Sequence, residues 1–180
     1  MCGIAGFFCY SRPSEDSDIE GLKRLSQCLS HRGPDSHGFW VSENGRVQLA
    51  HRRLAIIDLT SAGNQPMVDL DTGCVLVFNG EIYNYQELKN ELLQKDVVFQ
   101  TSSDTEVLLY HLIENGSDGI KELNGCFAFA FYDKEDDELL LVRDRMGINP
   151  VLFAIEDGQL SFASELTAFQ WLLDECSIDE

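Results

Sequence analysis

Between residues 126 and 163 four apolar runs follow one another with little between them: CFAFAFYD (126–133), ELLLVRD (138–144), VLFAI (151–155) and QLSFA (159–163). Each has the length and residue types of a strand, and the first two are joined by the charged turn KEDDE. A parallel pair needs a crossover helix, and no helix fits these gaps. A doubly wound βαβ pattern is therefore a poor fit. Two largely antiparallel sheets with helices outside them, an α+β arrangement, is the better one.

The upstream half agrees. IAGFF (4–8) is short, apolar and bounded by glycines, as a buried strand is, and GFWVS (38–42) reads as another. Ile19, Leu22, Leu25 and Leu29 recur at the spacing of one helical face. VQLA (47–50) and LAII (54–57) are apolar runs separated by HRR. CVLVF (74–78) reads as a strand that ends at Asn79-Gly80. YNYQELKNELLQK (83–95) is an amphipathic helix, and Asp104 suits the N-cap of a second one, TEVLLYHLIEN. From Ser164 the pattern is helical through Leu173, then acidic.

At 180 residues the chain fits one domain able to bury a core. Its net charge of −18 repels phosphate backbones and acidic lipid, so nucleic acid and membrane are poor partners. The apolar stretch from Ile4 to Phe8 is too short for a secretory signal. Six cysteines with no CxxC pair are expected as reduced thiols in a cytoplasmic protein. The four histidines fall in no metal-binding pattern, and no metal is expected.

Four short stretches carry possible chemistry. In MCGIAGF, loss of Met1 would leave Cys2 with a thiol and a free α-amine. Their ordinary pKa values are roughly 8.5 and roughly 7.7–8.0, so the amine can serve as base to its own thiol. Gly3 would let a substrate backbone come close. In VFNGEIYN, the Asn79 side-chain amide and the Gly80 N–H are two donors of the kind a tetrahedral oxyanion needs. The same dipeptide also reads as a plain hairpin turn. In LAHRRLAIIDL, an arginine at a strand end suits a carboxylate, or is one of a solvated basic pair. Asp104 in SSDTEV would bind an ammonium or simply cap its helix. RGPD (32–35) and RDRMG (143–147) read as structural loops with internal ion pairs.

MCGIAGF, HRGPDSHG, LAHRRLAIIDL, GNQP (63–66), VFNGEIYNY, SSDTEVLL, NGCFAFAFYD, VRDRMGINP and FASE, in this order, resemble the glutaminase domain of the asparagine synthetase family, a class II glutamine amidotransferase. The resemblance runs from Cys2 to about Trp171. It implies the N-terminal-nucleophile hydrolase fold, a four-layer αββα sandwich of two mainly antiparallel sheets. It also implies hydrolysis of L-glutamine to glutamate and ammonia, with Cys2 as nucleophile and Asn79 and Gly80 as oxyanion hole. Arg53 would hold the substrate α-carboxylate, Ile57 would line the pocket, and Glu81 and Asp104 would meet the α-ammonium. Arg52 receives no role.

In that family a second domain carries an SGGxDS-type pyrophosphate loop, and no SGG occurs here. The glutaminase unit is expected over residues 2–172, with 173–180 an acidic tail or the start of a linker. ATP and Mg are expected only with a synthetase domain or subunit that accepts the ammonia, asparagine synthesis itself needs that domain, and no cofactor is expected on this chain. Two other readings stay open: a non-catalytic glutaminase-like module that binds glutamine or a synthetase partner, and a disulfide protein.

Overall fold

Alternation along the first strand sorts this chain into layers. In a computed structural model, which describes residues 1–11, 16–55 and 61–171, β1 spans Gly3–Cys9. Ala5 and Phe7 point to one side, against Leu22 and Leu25 of helix α1 (Asp16–Cys28) and Leu29 just after it, while Ile4 points to the other. β2 (Ser36–Val41) and β3 (Val47–Arg53) follow, then the two-residue β4 (Met67–Val68) and β5 (Val75–Ile82). Helices α2 (Tyr85–Leu93) and α3 (Asp104–Asn115) precede β6 (Gly125–Asp133), β7 (Glu138–Arg143), β8 (Leu152–Glu156) and β9 (Gln159–Ala163). Single 3-10 turns cover Ser61–Gly63, Gly116–Glu122 and Leu166–Trp171.

Five strands form one sheet in the order β2-β3-β1-β9-β8, and four form the other in the order β4-β5-β6-β7. Every ladder is antiparallel. Three apolar clusters separate four layers. Ala5, Phe7 and Ala50 pack under α1 and the last 3-10 turn. Ile4, Leu49, Val77, Ala130 and Phe162 fill the space between the sheets. Leu76, Phe78 and Phe129 pack under α2 and α3, against Leu88, Leu108 and Leu112. This is the expected αββα sandwich. The four consecutive runs near the C-terminus supply β6 and β7 to one sheet and β8 and β9 to the other.

Several boundaries differ from the sequence reading. LAII is not a strand over its first residues: β3 already runs through HRR, because it is paired on both sides, to β1 and to β2, and Ser36 lies opposite Arg53. Residues 56–60, with Ile57, lie outside the described residues, as do 172–180. The turn from Ser164 is a short 3-10 segment. Ser103, whose hydroxyl accepts Thr105 N–H at 3.0 Å, caps α3, and Asp104 is its first helical residue. The two capping-type residues are adjacent, and the one with extended backbone takes the role.

The strand β5 does not stop at Asn79-Gly80, nor does it turn there. Its ladder with β6 continues through Gly80 opposite Phe127 to Ile82 opposite Gly125. A Cβ on residue 80 would stand 2.3 Å from Cys126 O and 2.6 Å from Phe127 Cα, so only glycine lets the strands close. Gly80→Ala is expected to destabilise the fold by about 1–3 kcal/mol, read as a lower urea midpoint at unchanged slope.

Candidate active site

Strand phase decides which of the expected residues meet. Cys2 and Ile4 lie on the side of β1 that faces the second sheet, and Gly3 lies on the other. A Cβ at Gly3 would meet Leu29 Cβ at 3.0 Å, so this glycine makes room for α1 and not for a substrate. On β3 the same alternation separates the two arginines. Arg52 faces α1, where its Nε donates to the carbonyl and the hydroxyl of Ser26, each at 2.9 Å. Arg53 faces the other way and donates through Nη1 to Asn64 Oδ1 at 3.0 Å.

Cys2, Arg53, Asn79, Gly80, Glu81 and Asp104 line one cavity of about 280 Å³. It opens at the end of the sandwich where β1 begins, β3 and β5 end and α3 starts. His51 ties the two sheets together beneath it, with Nε2–H donating to Phe78 O at 3.1 Å. Burial pushes the pKa of His51 down to about 4, so this link is held by a neutral ring.

The Cys2 thiol is seated on Leu54, whose N–H points at Sγ from 3.4 Å. Arg32 Nε donates to Cys2 O at 2.8 Å, and its Nη1 pairs with Glu165 at 2.8 Å. The arginine of RGPD thus clamps the backbone of Cys2 instead of pairing within its own loop. Burial pushes the thiol above its ordinary pKa, opposed by the Leu54 N–H, the N-terminal charge, Arg53 and Arg32. Met1 precedes it, so the Cys2 nitrogen here is a peptide nitrogen.

Three N–H groups of β5 point the same way, off its ladder with β6. The Phe78 N–H donates to Gln65 Oε1 at 2.6 Å and the Ile82 N–H to Asp104 Oδ2 at 3.1 Å. Period-2 geometry puts the Gly80 N–H on that same side, between these two. Phe127, opposite Gly80, turns its own N–H and carbonyl to Asp144. Asn79 is buried, and its Nδ2 donates to Asn149 Oδ1 at 3.3 Å. Asp104 is buried too, and burial first, with Glu81 adding, raises its carboxyl pKa against the N–H groups of Ile82 and Thr105. Glu81 stands exposed at the rim. Ile57 is the one expected site residue outside the described residues.

The cavity also takes in Gln65, Ser103, Thr105, Cys126, Ile148 and Asn149, to which the sequence reading gave no role. RDRMG has no internal ion pair: Asp144 accepts backbone N–H groups of Phe127, Met146, Ile148 and Asn149 instead. Among the described residues, no three His, Cys, Asp or Glu side chains gather as a metal site, and no helix is long and apolar enough to cross a membrane. The five described cysteines are free thiols, and Cys176 lies outside.

The model of the glutamine amidotransferase domain family matches residues 1–179. The chain belongs to that family. This amidotransferase domain is 39% identical over 181 residues to asparagine synthetase [glutamine-hydrolyzing] 1 of Bacillus subtilis (strain 168), covering 100% of this chain and 28% of that protein. It is 42% identical over 169 residues to asparagine synthetase B [glutamine-hydrolyzing] of Escherichia coli (strain K12), covering 93% of this chain and 30% of that protein. The domain therefore spans less than a third of either relative. Among solved structures, glutamine phosphoribosylpyrophosphate amidotransferase from B. subtilis, complexed with ADP and GMP, superposes with a TM-score of 0.77 at 22% identity. That match covers 94% of this chain and 43% of the other, and it bears out the expected fold.

Proposed function

We propose that this domain hydrolyses L-glutamine to glutamate and ammonia, with Cys2, freed by loss of Met1, as nucleophile. The observation that carries the reading is the convergence of Cys2, the Asn79–Gly80 donors, Arg53 and Asp104 on one cavity. Glutamine brings an anion, a cation and an amide carbonyl, and these groups answer each of them. Arg53 holds the substrate α-carboxylate, and Asp104 and Glu81 meet the substrate α-ammonium.

The α-amine of Cys2 takes the thiol proton, and sulfur attacks the side-chain amide carbon as the carbonyl pair moves onto oxygen. The Asn79 amide and the Gly80 N–H hold that oxyanion. Its collapse restores the carbonyl and breaks the C–N bond, the departing nitrogen taking the proton that the Cys2 α-amine had accepted. Ammonia and a γ-glutamyl thioester result. Water then attacks, giving its proton to the same amine, and the second oxyanion expels the thiolate, which recovers the proton as glutamate forms. No cofactor enters these steps.

The ammonia feeds an asparagine-synthetase-type amidation on a separate domain or subunit, where ATP and Mg belong. The hydrolytic unit is residues 2–172. Reduced thiols fit a cytoplasmic setting.

The test is the Met1-free protein with glutamine. Expected are glutamate release and, by intact mass, a single adduct at Cys2 with a glutamine-analogue electrophile. Retained Met1 with an inert thiol would overturn the reading in favour of a non-catalytic module that binds glutamine or a synthetase partner.

A further inference from the structure

An oxyanion site built on an asparagine side chain has a weakness that one built on backbone lacks. The amide can rotate by half a turn and present its oxygen instead of its NH2, which replaces a donor by a repelling acceptor. Asn79 is 1% exposed, and its Nδ2 donates to the Oδ1 of Asn149, itself 3% exposed and also on the cavity wall. An acceptor in that place holds one of the two N–H bonds of Asn79 and disfavours the reversed amide.

The backbone of Asn149 is fixed at both ends. Its N–H donates to Asp144 Oδ2 at 3.2 Å, and its carbonyl accepts from Arg143 Nε at 3.2 Å. The same Oδ2 accepts the N–H of Phe127, the residue opposite Gly80 in the β5–β6 ladder. The Asp144 N–H returns a bond to Phe127 O at 2.8 Å. One carboxylate thus ties the loop that carries Asn149 to the strand that registers Gly80. Both halves of the donor pair share this reference point.

We propose that Asn149 is a positioning residue for the oxyanion site, accepting one Asn79 N–H so that the other is aimed at the substrate carbonyl oxygen. This rests on the glutaminase reading above. In the Met1-free protein, Asn149→Leu is expected to lower kcat by about 10- to 100-fold while KM moves by less than about threefold. Affinity for the γ-aldehyde analogue of glutamine, to which the thiolate adds to give a tetrahedral oxyanion, falls by the same factor. The dissociation constant of glutamate does not change. In an Asn79→Ala background the same substitution costs less than about twofold more, because its target is already gone.

Asn149→Ser, which is smaller and removes the amide acceptor, carries the same expectation, so failure of the leucine variant to fold does not spare the proposal. Wild-type kcat and aldehyde affinity in the Asn149 variants would overturn it, as would full additivity with Asn79→Ala. Absence of Cys2-dependent turnover in the unsubstituted protein would overturn the glutaminase reading itself. Normal turnover with unaffected Asn149 variants would overturn this inference alone.

Discussion

Cys2→Ala is expected to lower glutamine hydrolysis by at least about 10⁴-fold, because the covalent route is then closed and only the polarising donors remain. The fold should survive, since the side chain contributes to none of the three apolar clusters. A form that keeps Met1 is expected to lose about 10²–10⁴-fold with the thiol still present, the usual contribution of a positioned base. A peptide nitrogen cannot accept the thiol proton, and burial already holds the thiol above its ordinary pKa. In the trimmed protein the activity should rise with pH as the amine loses its proton, within reach of its ordinary range of roughly 7.7–8.0. Glutamate release by both forms, with intact mass to certify each N-terminus, checks the pair. Equal activity with and without Met1 would place the base elsewhere.

Asn79→Ala is expected to lower kcat by about 10²–10³-fold, the cost of one oxyanion donor, with KM changed only a few-fold. The side chain is buried beside the cavity and bonds to Asn149, so its loss removes a donor without removing a contact to the α-carboxylate or the α-ammonium. Asn79→Asp, of the same shape, should be worse than alanine, because it sets a negative charge where negative charge develops. Steady-state kinetics of both variants, with a thermal melt to show that β5 still pairs, decide the matter. A loss confined to KM would assign Asn79 to substrate binding instead.

The layers were legible because each strand carries its own pattern. CFAFAFYD and ELLLVRD predict their strands and the turn between them from residues a few positions apart. Cys2 was legible from its place in the chain; Arg53 was singled out only through the resemblance, and alternation along β3, which turns it away from Arg52, supplies the physical reason. The continuation of β5 was not. Asn-Gly is a turn signal in isolation, and what overrides it is a partner strand more than forty residues later, whose backbone leaves room only for glycine. Gly3 was misread for a similar reason: its neighbour, Leu29, arrives on another element. Asp104 is a cap candidate because its short carboxylate can accept free amides, and nothing local ranks it below Ser103, which takes the role. Asn149 left no local trace, since its partner lies 70 positions away.

The strand that follows Cys2 sits in the middle of its sheet, and one of its two neighbours is β9, with Ser164 bonded across to Ile4. During vectorial synthesis at about 5–20 residues per second, Gly3 through Cys9 must wait several seconds or more for that neighbour to be made. For most of this interval the first strand has at most β3 beside it, and the cavity lacks the wall that Ile148 and Asn149 supply. On the proposed glutaminase reading, this order would let Met1 be trimmed before the cavity is complete, and the pairing of the first strand with the last makes folding a long-range event.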